Sequence, residues 1–65
     1  MEIYENLSRR SGVVEYEIGS NYVMVIFERG DIISYDTDEF SEEVISQIKE
    51  LAKAGEGLNR FLNQL

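Results

Sequence analysis

Six consecutive apolar residues, Tyr22-Val23-Met24-Val25-Ile26-Phe27, constrain this chain more than any other stretch. The run is too short for a stable helix, and Val, Ile, Tyr and Phe all favour the pleated, packed surroundings of a strand. A strand that is apolar on both faces belongs in the middle of a sheet, with cover on each side. Turn signals bound it: Gly19-Ser20-Asn21 before and Glu28-Arg29-Gly30-Asp31 after. Gly and Asn accept positive φ at low cost, so both segments read as chain reversals.

Two further strands flank the run. In Val13-Val14-Glu15-Tyr16-Glu17-Ile18, Val14, Tyr16 and Ile18 alternate with Val13, Glu15 and Glu17. Period-two alternation with one acidic face predicts a half-buried strand. Ile32-Ile33-Ser34-Tyr35 supplies the third strand, and Asp36-Thr37-Asp38 leaves the sheet. Connections this short favour an antiparallel meander, which needs a helix against at least one face.

That helix is expected from Glu42 to Ala54. Ser41 is its N-cap, with Phe40 and Ile45 at the hydrophobic-staple positions. Glu42 and Glu43 stand in the first turn and Lys49 and Lys53 toward the other end, as the helix dipole favours. Val44, Ile48, Leu51 and Ala52 share one face, which Ile45 widens, and Gly55 is the stop. A short second helix is expected over residues 58–65, with Leu58, Phe61, Leu62 and Leu65 as its apolar stripe. The predicted class is α+β: a three-stranded antiparallel β-meander followed by one long and one short α-helix packed on the sheet. Residues 1–11 read as an N-terminal arm, and residues 12–65 as a single domain. Ile3, Tyr4 and Leu7 allow either one helical turn or an arm that docks in context.

The chain has 65 residues, no cysteine and no histidine. A domain of this length buries only about 60% of the surface its unfolded form exposes. Disulfides and thiolate metal sites are excluded, so packing or self-association must supply its stability. The usual general base, metal ligand and pH switch are missing with histidine. Thirteen acids face six bases, for a formal charge of −7, a field that repels polyanions. No apolar run approaches the ~18 residues of a membrane span. Met1-Glu2-Ile3-Tyr4-Glu5 is unlike a signal peptide, and the expected location is cytoplasmic.

No constellation announces catalysis, and the expectation is that the chain is not an enzyme. Asp36, Asp38, Glu39, Glu42 and Glu43 do not follow the spacing of a calcium loop and read as a solvated, dipole-favoured helix start. Glu15 and Glu17 point to one side of a strand and read as a polar sheet face. The glycines form no phosphate-cradling loop. No cofactor or metal is expected. The candidate binding surface is Tyr35, Lys49, Lys53, Asn59 and Arg60, where Asn59 has the alternative of capping the second helix. Helices on one side of the sheet leave either the Met24/Ile26 face or the Val23/Val25/Phe27 face short of cover. The arm, a second copy or another protein must supply it.

The order of these elements resembles the KTSC domain, a small module named for the C-terminus of some lysyl-tRNA synthetases and also found as stand-alone bacterial proteins. The resemblance runs from about Ser11 to Leu62. It rests on Ser11-Gly12 at the start, Phe27-Glu28-Arg29-Gly30 at the turn, the helix from Glu42-Glu43-Val44 through Leu51, and Gly55 followed by Asn59. The family's central Tyr-x-Tyr is here Ile33-Ser34-Tyr35, and Ser41 stands where the family has a proline before the helix. The expected function is a non-catalytic, KTSC-like binding or accessory module acting through protein contacts, as a homodimer or with another protein. A role at RNA would use Tyr35 with Lys49, Lys53 and Arg60, against the net charge. A third expectation is an acidic inhibitor that mimics nucleic acid in a basic protein groove.

Overall fold

The computed structural model of the chain describes residues 1–7 and 12–65. Ser8, Arg9, Arg10 and Ser11, which include the only basic pair of the sequence, lie outside the described residues. The order of elements is β1 (Glu2–Ile3), β2 (Val13–Ile18), β3 (Tyr22–Phe27), β4 (Ile32–Asp36), α1 (Glu42–Ala54) and α2 (Leu58–Leu62). The four strands form one antiparallel sheet in the order β1-β2-β3-β4. The α+β class holds, but the expected three strands are four: Glu2 and Ile3 pair with Tyr16 and Glu15. Two residues carry no period for a sequence reading to detect, and their partner lies far along the chain.

The apolar run forms β3 and lies between β2 and β4. Val23 and Val25 are fully buried under α1, whose Ile45, Ile48 and Ala52 meet them in the core. Val13, Tyr16, Leu58 and, from the arm, Tyr4 complete that core. At the β2–β3 hairpin the Gly19 N–H donates to the Tyr22 carbonyl at 2.9 Å, closing a tight loop over Ser20 and Asn21. The Tyr22 ring lies against Gly19 so closely that an added Cβ would overlap it.

Alternation in β2 departs from the expected pattern at its start. The register slips between Val13, opposite Phe27, and Glu15, opposite Ile26. This bulge makes Val14 the extra residue. Val13 is turned inward at 1% exposure and Val14 outward at 39%, the reverse of the simple alternation.

α1 is capped as its sequence requires. The Ser41 side chain accepts from the Val44 N–H at 3.2 Å, and Gly55 closes the helix in the left-handed region at φ 79°. α2 starts at Leu58 with Gly57 in the cap position and no side-chain cap, so Asn59 lies inside the helix and does not cap it. The helix ends at Leu62, short of the expected stripe, and Leu65 is exposed.

Residues 1–7 run beside β2 and then beneath the junction of the two helices. The Tyr4 N–H donates to the Val14 carbonyl at 2.9 Å, and the Leu7 N–H donates to the Gly55 carbonyl at 2.7 Å. The Tyr4 hydroxyl accepts from the Leu58 N–H at 3.4 Å. That contact gives an acceptor to one of the orphan amides at the start of α2, which Gly57 cannot serve.

Candidate functional site

Strand pairing divides the sheet residues between two faces. Tyr16, Val23 and Val25 are buried toward the helices, with Ile18, Phe27 and Tyr35 packed at the margin of the same core. Residues paired across strands share a face. The opposite face therefore carries the row Ile3, Glu15, Ile26 and Ile32, one residue from each strand. Beside it runs the row Glu17, Met24 and Ser34, followed by Tyr22 and Asp36.

No described element covers this second face. Ile3 is 78% exposed and Ile32 62%, while Ile26 and Met24 between them are half-buried by their neighbours. Of the two faces considered, the Met24/Ile26 face is the open one. The described part of the arm does not cover it: β1 lengthens the sheet and adds Ile3 to the same surface. Glu15 and Glu17 interrupt the apolar rows, and no lysine or arginine stands among the paired residues of this face. The Tyr22 hydroxyl donates to the Glu17 carboxylate at 2.8 Å, which fixes both side chains across the hairpin. This bond, then the Glu17 charge and then burial, hold the Tyr22 phenol above its ordinary pKa.

The residues named from sequence occupy several places. Tyr35 packs its ring against Phe40 with centroids 5.8 Å apart, a tilted aromatic pair at the end of β4. Burial holds its phenol above the ordinary value. Lys49 directs its ammonium to the Ser20 carbonyl at 3.2 Å, tying α1 to the β2–β3 turn. It lines a hollow of about 330 Å³ with Ser20, Asn21, Thr37, Glu42, Ile45 and Ser46. Lys53 belongs to a different hollow of about 430 Å³, lined also by Met1, Glu2, Tyr16, Glu17 and Ile18. Asn59 is half-buried and Arg60 exposed on α2. Neither hollow includes Tyr35, Asn59 or Arg60 in its lining.

The acidic loop before α1 has a local structural role. The Asp36 carboxylate accepts from the N–H groups of Asp38 at 3.0 Å and Glu39 at 3.3 Å, fixing the turn that leads to the helix. Among the described residues, no three carboxylates converge as a cation site. No described helix is long and apolar enough to cross a membrane.

Sequence reasoning found the apolar surplus of β3 but not its full extent. Ile3 joins through a strand too short to read, and Ile32 through a register that only the pairing discloses. No family model, curated protein or solved structure matches this chain.

Proposed function

We propose that this chain is a non-catalytic, KTSC-like binding module that self-associates or joins another protein through the open face of its sheet. One observation carries the reading: Ile3, Ile26 and Ile32, from three of the four strands, with Met24 beside them and Glu15 between Ile3 and Ile26, lie on the sheet face away from the helices. Exposed apolar area of this kind gains free energy when a partner removes it from water. Glu15 and Glu17 within the face, with Tyr22 locked to Glu17, supply polar contacts that set orientation.

An RNA-binding patch at Tyr35, Lys49, Lys53 and Arg60 has less support. Lys49 spends its ammonium on Ser20, Tyr35 lies against Phe40, and Lys53 borders another hollow. A nucleic-acid mimic would need carboxylates spaced along a basic groove, and the open face offers alternating apolar groups instead. The methyl groups of Ile and Met report directly on that face. As protein concentration rises, NMR signals of Ile3, Met24 and Ile26 are expected to shift, while mixed tRNA and single-stranded oligonucleotides at low salt leave the spectrum unchanged. Amide shifts confined to Tyr35, Lys49, Lys53 and Arg60 on adding RNA, fading with salt, would overturn this reading in favour of the RNA-binding one.

A further inference from the structure

We propose that the outer edge of β4 is a homodimer seam, in which two copies pair β4 antiparallel with Ile33 on the two-fold axis. The proposal rests on the reading of the chain as a protein-contact module, but it uses an edge of the sheet instead of its open face.

Backbone direction in β4 is fixed by hydrogen bonds at both ends. The Phe27 N–H donates to the Asp31 carbonyl at 2.8 Å, and the Thr37 N–H donates to the Asn21 carbonyl at 3.1 Å. Polar groups alternate in direction along an antiparallel strand. Asp31, Ile33, Tyr35 and Thr37 therefore face β3, and Ile32, Ser34 and Asp36 face outward. The Asp36 carbonyl is taken by the N–H groups of Glu39 and Phe40. Ile32 and Ser34 are left to present both donor and acceptor at an edge that no described strand covers. Exposed sheet edges are commonly blunted by charged side chains, proline or a bulge. Between Asp31 and Asp36, which flank it, the stretch Ile32-Ile33-Ser34-Tyr35 has none of these.

The register follows from those directions. Outward-facing residues must stand opposite one another, so Ile32 of one copy meets Ser34 of the other, and each such pair exchanges both hydrogen bonds. Ile33 then meets Ile33 at the close, non-hydrogen-bonded position, on the side of the sheet that carries the helices. Ile33 is 43% exposed there, although its neighbour Val25 is fully buried, so a second Ile33 would complete the cover that α1 leaves unfinished. Acids interleave in this register: Asp31 stands opposite Tyr35, and Asp36 opposite Gly30. Shifting the two-fold to Ser34 would instead put Ile32 against Asp36. Self-complementarity of this kind is why the seam selects a second copy over an unrelated extended peptide. The product is a continuous eight-stranded sheet, twice the four strands of one copy, with Ile26 and Ile32 of both copies near the centre of its open face.

The absence of native cysteine makes a direct test available. In this register the Cα atoms of two Ile33→Cys copies stand about 4.5 Å apart, within disulfide reach, while two Ser34→Cys copies stand diagonally at about 7–8 Å, outside it. Mild oxidation by diamide is expected to cross-link Ile33→Cys at least about tenfold faster than Ser34→Cys, with the difference lost in urea. Equal rates, or a faster Ser34→Cys, would overturn the register. Ser34→Pro supplies the second measurement, because it removes an outward N–H and proline is tolerated at such edge positions. Its circular dichroism and melting should stay close to wild type while sedimentation shows dimer lost. A dimer that survives Ser34→Pro would overturn the seam. If the open-face methyl groups still respond to concentration in that variant, the protein-contact reading stands without the seam. A wild-type chain that stays monomeric at millimolar concentration would end the proposal.

Discussion

Gly55 shows how much one residue can hold in place. Its left-handed φ of 79° ends α1, its carbonyl accepts from Leu7, and a Cβ there would stand 2.7 Å from the Glu5 Cβ. Gly55→Ala combines backbone strain with displacement of the arm, and should lower stability by about 1–3 kcal/mol in urea unfolding. Gly30, also at positive φ, has open space around it, so its substitution should cost the backbone term alone. Tyrosines provide a second residue-scale test. Burial raises the Tyr4 pKa above its ordinary value and outweighs the Leu58 N–H, which acts the other way; the Glu56 charge adds to burial. Tyr16 is raised by burial first, then by the charges of Glu2 and Glu5. A phenol whose folded pKa exceeds its unfolded one stabilises the fold fully below the unfolded value, and that contribution disappears as pH rises through the folded one. Unfolding is therefore expected to become easier above about pH 10, with tyrosinate absorbance and loss of circular dichroism rising together. Tyrosinate formed on an intact fold at the ordinary pKa would refute the burial argument.

Among the elements, α1 was the most legible in the sequence and β1 the least. Ser41, the acidic first turn, the apolar stripe and Gly55 are local signals, and they place the helix at Glu42–Ala54. β3 was legible because six apolar residues between turns have few alternatives. β1 was not, since its pairing with β2 is a property of the folded chain. The bulge in β2 was hidden for the same reason: both Val13 and Val14 are apolar, and only the register decides which one turns inward. Mutation separates them. Val13→Ala should cost about 1–3 kcal/mol, whereas Val14→Ala should stay within about 0.5 kcal/mol of wild type, as measured by chemical denaturation. Comparable costs at both positions would place the slip elsewhere. Ser41→Ala should cost about 1 kcal/mol through the lost acceptor for the Val44 N–H.

At the scale of the whole molecule, the excess of thirteen acids over six bases gives a net charge of −7 that repels itself within the fold and between copies. Added salt screens both. The melting temperature and the association of copies should therefore rise together between about 20 mM and 300 mM sodium chloride, whereas a complex with a basic partner would weaken. The candidate surface was only partly legible on this scale, because proximity of Ile3 to Ile26 and Ile32 is created by pairing and not by sequence spacing. The bond between the Tyr4 hydroxyl and the Leu58 amide, 54 positions apart, also bears on biosynthesis. During translation Tyr4 emerges long before the segment that receives it, since chains are made at about 5–20 residues per second. Over that interval Tyr4 has no α1–α2 junction to enter. Tyr4 thus finds its site only after Leu58 has left the ribosome, and the first segment made is among the last to be latched.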